Sequence, residues 1–288
     1  MQYTEGKMER RFIDSQVIID FQSYLKSEEK SSATVEKYIR DVKAFTDHLD
    51  GRELTKEAVI AYKQQLLDGG YAVRSINSML ASLNALFAYL GRIDLRVKSL
   101  KLQQDVFCPE ERELSRAEYE RLCRTALKRH NERLCLILQT ICSTGIRVSE
   151  LSYITAEAVR QGKAIVRMKG KTRTVFLLKD LQKKLLRYMS AQGIEQGSVF
   201  ITRSGKPLGR SNIWREMKSL CEEANVNPQK VFPHNLRHLF ARIFYSLEKD
   251  IARLADVLGH SSVDTTRIYL MTTGDEHRKQ LEKLKLVS

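Results

Sequence analysis

Residues 164–177 read AIVRMKGKTRTVFL. Ala164-Ile165-Val166-Arg167-Met168 and Thr174-Val175-Phe176-Leu177 are rich in β-branched and apolar residues, with Lys169-Gly170-Lys171 between them. Such runs on either side of a glycine turn predict a β-hairpin. It is the clear strand signal of the chain, and helical spacing surrounds it, so the expected fold is mainly α with a small β-hairpin. Upstream, Leu134 to Cys142 is an apolar helix, broken at Ser143-Thr144-Gly145. Arg147-Val148-Ser149-Glu150-Leu151 then begins another. Ser115 followed three residues later by Glu118 has the form of a capped helix start. Downstream, helical patterns are expected near residues 180–192, 211–225 and 233–248, with shorter ones near 250–258, 263–269 and 276–285.

The first hundred residues carry four helical patterns. Ile13, Val17, Phe21, Tyr24 and Leu25 mark the first; Val35, Tyr38, Ile39, Val42, Phe45 and Leu49 the second, with Ser32 or Thr34 as cap. Thr55 can cap a third, which stops at Asp68-Gly69-Gly70. The fourth runs from about Val73 to Leu90 and ends at Gly91. The expected organisation is a helical domain over residues 1–95, a linker over 96–112 and a second domain over 113–288.

The chain has 288 residues, enough for two domains, and its 42% hydrophobic and 29% charged residues suit a soluble protein. Its start, with a short polar-interrupted IDSQVIIDF, is unlike a secretory signal, and a cytosolic location is expected. Five cysteines (Cys108, Cys123, Cys135, Cys142, Cys221) include no Cys-x-x-Cys pair. Reduced, mostly buried thiols are therefore expected rather than a zinc or disulfide framework. Net charge is +14, with 16 Lys+Arg against 15 Asp+Glu up to residue 107 and 33 against 20 beyond it. Phosphate should be handled mainly by the second part.

That part holds polar residues for which packing gives no reason. Arg147 follows a glycine break and Lys169 sits in the hairpin turn. His234 and Arg237 lie three apart where Pro233-His234-Asn235-Leu236-Arg237-His238 opens a helix. His260 follows Leu258-Gly259, and Tyr269 comes nine residues later. Guanidinium forks match the non-bridging oxygens of a phosphate. Two arginines and two histidines around one phosphorus would stabilise a pentacoordinate transition state. Tyrosine can attack and hold the phosphate covalently, and a lysine on a turn can protonate the departing oxygen. No Asp/Glu cluster offers itself to magnesium, so cationic side chains are expected to neutralise the charge, with neither metal nor cofactor.

In this order, Arg…Lys…His-x-x-Arg…His…Tyr, and in the words TGIRVSEL, PHNLRHLFA and LGHSSVDTTRIY, the chain resembles the tyrosine recombinases, or phage-type integrases. The resemblance covers residues 112–273 and, less distinctly, the helical start. It implies an N-terminal SAM-like core-binding domain and a catalytic domain around double-stranded DNA. It also implies strand exchange in a homo-tetramer through a 3′-phosphotyrosyl link, without ATP, in mobile-element integration or Xer-like dimer resolution. By resemblance, Arg147 and Arg237 clamp the scissile phosphate and Glu150 orients Arg147. His234 assists the tyrosine proton, His260 donates to a phosphate oxygen, Lys169 is the general acid and Tyr269 the nucleophile. His238 is supporting. The hairpin is one residue shorter than the family's usual Gly-Lys-Gly-x-Lys-x-Arg, which leaves the acid open between Lys169 and Lys171. Phe176 replaces a usual proline.

Arg74, Ser75 and Asn77, and the trio Lys37, Arg40 and Lys43, could face either solvent or a DNA backbone. Leu281, Leu284 and Leu286 in the tail are expected to dock on a neighbouring subunit. A DNA-binding regulator with a relic site and a type IB topoisomerase are the rival classes.

Overall fold

Asp14 opens the first helix among the described residues by accepting the Val17 amide at 2.8 Å, the side-chain cap that an otherwise unsatisfied first turn requires. The computed structural model describes residues 11–101, 113–168, 170–202, 204–270, 278, 282 and 283. These fall into two units, residues 1–104 and 105–288. In the first, α1 (Ser15–Ser27), α2 (Ser32–Leu49), α3 (Lys56–Asp68) and α4 (Val73–Tyr89) bury Val17, Phe21, Val42, Phe45, Val59, Ile76, Leu80, Leu83 and Phe87. The cap of α2 is Ser31, not Ser32 or Thr34, because Ser31 is the residue with extended backbone and its hydroxyl accepts from Thr34. Thr55 caps α3 as expected.

The unit does not end with its fourth helix. A 3₁₀ turn, Ile93–Leu95, leads into residues whose Leu95 and Val97 are buried in the same core. Asn77 pins this return: its side-chain nitrogen donates to the Leu100 carbonyl at 2.9 Å, and its oxygen accepts the Leu100 amide at 2.7 Å. Residues 96–101 are thus packed chain rather than free linker. Lys37 also has an internal role, its ammonium 2.7 Å from the buried Asp41 and 2.9 Å from Ser82. Of the candidate backbone-facing groups, Asn77 and Lys37 are structural; Arg40 stays exposed.

The second unit opens with α5 (Arg116–Lys128) under the expected capping box of Ser115 and Glu118. Then come α6 (Glu132–Thr144), a 3₁₀ helix Val148–Tyr153 where an α-helix was expected, and α7 (Ala156–Gln161), which no sequence pattern announced. Six residues are too few for a helical period to register; Thr155 caps α7 and Gly162 stops it in the left-handed region. β1 (Lys163–Met168) and β2 (Lys171–Phe176) pair antiparallel, with Val166 opposite Arg173 and Met168 opposite Lys171. The helices α8 (Lys179–Gln192), α9 (Arg210–Ser219), α10 (Pro233–Glu248), α11 (Ile251–Leu258) and α12 (Val263–Arg267) follow, and Ile268–Leu270 form a 3₁₀ turn. α9 stops six residues short of the expected limit of 225.

The core runs from Leu122 and Leu134 through Ile137, Ile141, Val166 and Leu185 to Leu236 and Leu239. Cys123, Cys135 and Cys221 are buried free thiols and Cys142 is half-buried. Cys108, Lys169, Leu281, Leu284 and Leu286 lie outside the described residues. Among the described residues no helix is long and apolar enough to cross a membrane.

Candidate active site

Two glycine stops and one buried arginine organise the site. α6 ends at Gly145 and α11 at Gly259, both at positive φ (65° and 66°), the conformation glycine adopts most easily. Each stop turns a carbonyl toward α10. Arg237 lies one turn into that helix, whose first residue is Pro233, a proline preset for a first helical turn. Its guanidinium donates to the Gly145 carbonyl, and to the Leu258 carbonyl at 2.7 Å. Arg237 is 1% exposed. Burial, then the neighbouring Arg147, lowers its pKa to about 10, so it stays charged at neutral pH. Gly145 is fixed by packing as well as by conformation, since a Cβ there would lie 2.5 Å from the Phe240 ring and 2.9 Å from Leu258.

His260 sits 3.0 Å from Arg237 through Nε2 and 2.9 Å from the buried Thr266 hydroxyl through Nδ1. Arginine can only donate, so Nε2 accepts, and Nδ1 carries the proton and donates to Thr266 Oγ1. Burial and the adjacent Arg237 lower the His260 pKa to about 4, in keeping with that neutral tautomer. Tyr269, 5% exposed, belongs to a small cluster with Ala241, Leu254 and Leu258. Its phenolic oxygen is 3.4 Å from His234 Nε2. Its ring lies 4.2 Å from that of His238, 5.3 Å from His260 and 5.4 Å from His234. The Arg237 guanidinium is 6.0 Å from the ring centroid. Desolvation, then the charges of Arg237, Arg147 and Arg210, hold the His234 pKa below the usual imidazole range. The His238 pKa falls to about 3, chiefly through burial.

Arg147 precedes the 3₁₀ helix, and its amide donates to Glu150 Oε2 at 2.9 Å while its Nη1 donates to Oε1 at 3.0 Å. Arg173, from β2, completes the cage. Its Nη1 reaches Oε1 at 2.9 Å and its Nη2 reaches Oε2 at 2.7 Å. Glu150 has no exposed side chain. Burial opposes its ionisation, but the hydrogen bonds and charges of Arg173 and Arg147 outweigh it and bring the pKa to about 2. Arg147 itself is 37% exposed, the open end of this ion-paired group.

The structure therefore gathers His234, Arg237 and His260 around Tyr269 and sets Arg147 on Glu150. Lys171 is exposed at the start of β2. Sequence reasoning gave no role to Arg173 or Thr266. The signal for Arg173 was its alternation with Val175 on the inward face of a strand, where a charge demands a partner. Thr266 lay in the quoted LGHSSVDTTRIY word, but nothing in the chain tells which of two adjacent threonines turns inward. Among the described residues no group of three or more His, Cys, Asp or Glu is arranged to hold a metal ion.

A phenol beside an imidazole, with guanidinium groups close by, is an arrangement that can carry out phosphoryl transfer. The model of the phage integrase family matches residues 112–275, and that of the phage integrase N-terminal SAM-like domain matches residues 18–93. The chain belongs to the phage integrase family and is a tyrosine recombinase, an enzyme that cleaves and rejoins DNA strands site-specifically. Tyrosine recombinase XerA of Thermococcus kodakarensis is 29% identical over 282 residues, covering 95% of this chain and 96% of that protein. Tyrosine recombinase XerD of Pseudomonas aeruginosa is 30% identical over 257 residues, covering 82% and 85%. The crystal structure of XerH site-specific recombinase bound to difH substrate, a pre-cleavage complex, shares the fold with a TM-score of 0.66 at 18% identity. It covers 91% of this chain and 88% of that one.

Proposed function

We propose that this chain recombines double-stranded DNA through a covalent 3′-phosphotyrosyl intermediate on Tyr269. The Tyr269 oxygen attacks the scissile phosphorus and its proton passes to His234. The bond from phosphorus to the 5′-oxygen breaks, and that oxygen takes a proton from the hairpin lysine, Lys169 or Lys171. Arg147 and Arg237 hold the non-bridging oxygens, and Glu150 orients Arg147. When phosphate displaces the Arg237 contact, His260 takes the tautomer with its proton on Nε2, accepts from the Thr266 hydroxyl at Nδ1, and donates to a phosphate oxygen. Attack by a 5′-hydroxyl of a partner strand reverses the step. One phosphodiester is exchanged for another ester of similar energy, so the chemistry calls for neither ATP nor a resident metal.

The observation that carries the reading is the 3.4 Å approach of the Tyr269 oxygen to His234 Nε2 in the same cluster as buried Arg237. The excess of 33 basic over 20 acidic residues from residue 108 onward supports a phosphate backbone as partner. The working assembly is a homo-tetramer on two DNA sites, acting in the cytoplasm at the nucleoid. Its biological role is mobile-element integration or Xer-like dimer resolution, two uses of one reaction. A nicked suicide duplex tests the chemistry. Wild type should become trapped on the DNA through Tyr269 and Tyr269→Phe should not; equal trapping by both ends the proposal. Sequencing the trapped DNA identifies the site and separates the two roles.

A further inference from the structure

We infer that Arg173 is a positioning residue that fixes the tip of the β-hairpin, and with it the lysine that protonates the leaving oxygen, against the phosphate-binding arginine. The inference rests on the recombinase chemistry proposed above and adds to it a residue that acts through Glu150 and the hairpin.

The hairpin is anchored unevenly. Near its base Ala164, Val166 and Val175 are buried in the core of the second unit. Toward the tip, Lys171 and Thr172 are exposed and Met168 is half-buried. Arg173 is the last well-covered side chain of β2 before the turn, 14% exposed. It stands opposite the buried Val166, on the same face of the strand as Lys171. At about 3.3 Å per residue, Lys171 is about 7 Å further along the strand. Whatever holds Arg173 therefore sets where Lys171 can reach.

Three contacts hold it. Its fork grips both oxygens of Glu150 at 2.7–2.9 Å, and those same oxygens take the backbone amide and Nη1 of Arg147. Its stem lies over Gly259, where a Cβ would come 2.7 Å from Arg173 Cδ; the residue after that glycine is His260. The strand pairing supplies the third. One side chain thus ties the lysine-bearing hairpin to Arg147 and to the backbone beside His260. A lysine at 173 could place one ammonium on one oxygen, but it could not span the carboxylate.

The test compares two leaving groups. Duplexes carry the site recovered from the trapped complex, with either the ordinary 5′-oxygen or a 5′-bridging sulfur at the scissile phosphate. A thiolate departs without a proton, so the sulfur substrate bypasses the acid. For Arg173→Ala we expect cleavage of the oxygen substrate to fall about a hundredfold, the low end of what a positioned acid contributes, and cleavage of the sulfur substrate to stay within about threefold of wild type. Arg173→Lys should show the same pattern more mildly, and it replaces the alanine variant if circular dichroism shows that variant unfolded. Equal loss on both substrates would overturn the inference, since Arg173 would then act through Arg147 or the fold. Undiminished cleavage of the oxygen substrate would overturn it too. If wild type is trapped on neither duplex, the recombinase chemistry itself has failed, and the inference falls with it.

Discussion

Replacing Glu150 by glutamine should cost about 3 kcal/mol at neutral pH, and the cost should shrink in acid. The carboxylate is wholly buried and takes four N–H donors, two from each arginine. Its pKa falls from 4.5 to about 2, which at about 1.4 kcal/mol per pH unit corresponds to about 3 kcal/mol of stabilisation. Because the folded value lies below the unfolded one, that contribution is complete above about pH 4.5 and is lost as pH falls toward 2. Glutamine keeps the shape but brings two N–H donors of its own and no charge, leaving two guanidinium groups against each other. Breaking a buried pair in this way costs about 3–5 kcal/mol in general, the same range. Trp214, on α9 of the same unit, is the chain's one tryptophan and reports its unfolding. Urea titrations of wild type and Glu150→Gln at pH 7 and pH 3, followed by its fluorescence, give the gap directly, and the other carboxyl groups titrate alike in both proteins. The gap should be about 3 kcal/mol at pH 7 and about half that at pH 3. An equal gap at both pH values would show that Glu150 contributes shape rather than charge.

Other expected outcomes concern the groups around it. Gly145→Ala forces a Cβ to 2.5 Å from Phe240 at positive φ; it should destabilise the second unit by about 2–4 kcal/mol in calorimetry, and wild-type stability would refute the packing account. Ser115→Ala removes one half of the α5 capping box and should cost about 1 kcal/mol in urea unfolding. Thr266→Val takes away the acceptor of the His260 Nδ1 proton; strand cleavage should slow, and Thr266→Ser should restore it. Because burial and the nearby arginines depress the His234 pKa, the neutral form that can take the phenol proton is favoured at neutral pH. The acid limb of single-turnover cleavage should therefore have its midpoint below about 6.5, the ordinary imidazole value; a midpoint above it would contradict His234 as the base.

Much of this arrangement was legible in the chain because it rests on short-range rules. The hairpin at 163–176 is announced by β-branched runs around Lys169-Gly170-Lys171, and α10 by Pro233 at its first position. Two kinds of feature were not legible. One is very local: α7 is too short to display a period, and Ser31 rather than Ser32 or Thr34 caps α2 because the backbone of Ser31 is the extended one. The other is long-range. Arg173 meets Glu150 across 23 residues and Arg237 meets Gly145 across 92, and no spacing rule reaches that far. Lys37 and Asn77 show the same limit from the opposite side. On a helical wheel they belong to a polar face open to a partner, yet their partners are Asp41, Ser82 and Leu100 of the same unit.

The balance of charge explains why such a site favours a phosphorus in transit over one at rest. Arg147, Arg173 and Arg237 bring three positive charges, Glu150 removes one, and the three histidines have pKa values lowered toward the neutral form. Within this group two positive charges remain uncompensated, one of them on Arg237, held away from water at 1% exposure, and Arg210 adds its charge at His234. A phosphodiester carries one negative charge and its pentacoordinate transition state two. Passage of the phenol proton to His234 places the second negative charge on the phosphorane, where the guanidinium groups and the new imidazolium stabilise it more strongly than they do the singly charged diester. That difference, rather than tight binding of the ground state, is what accelerates a reaction. Glu150 acts from the other side. Without it three guanidinium groups would crowd one another, the folded state would bear their repulsion, and Arg147 would lose the anchor of its amide and Nη1.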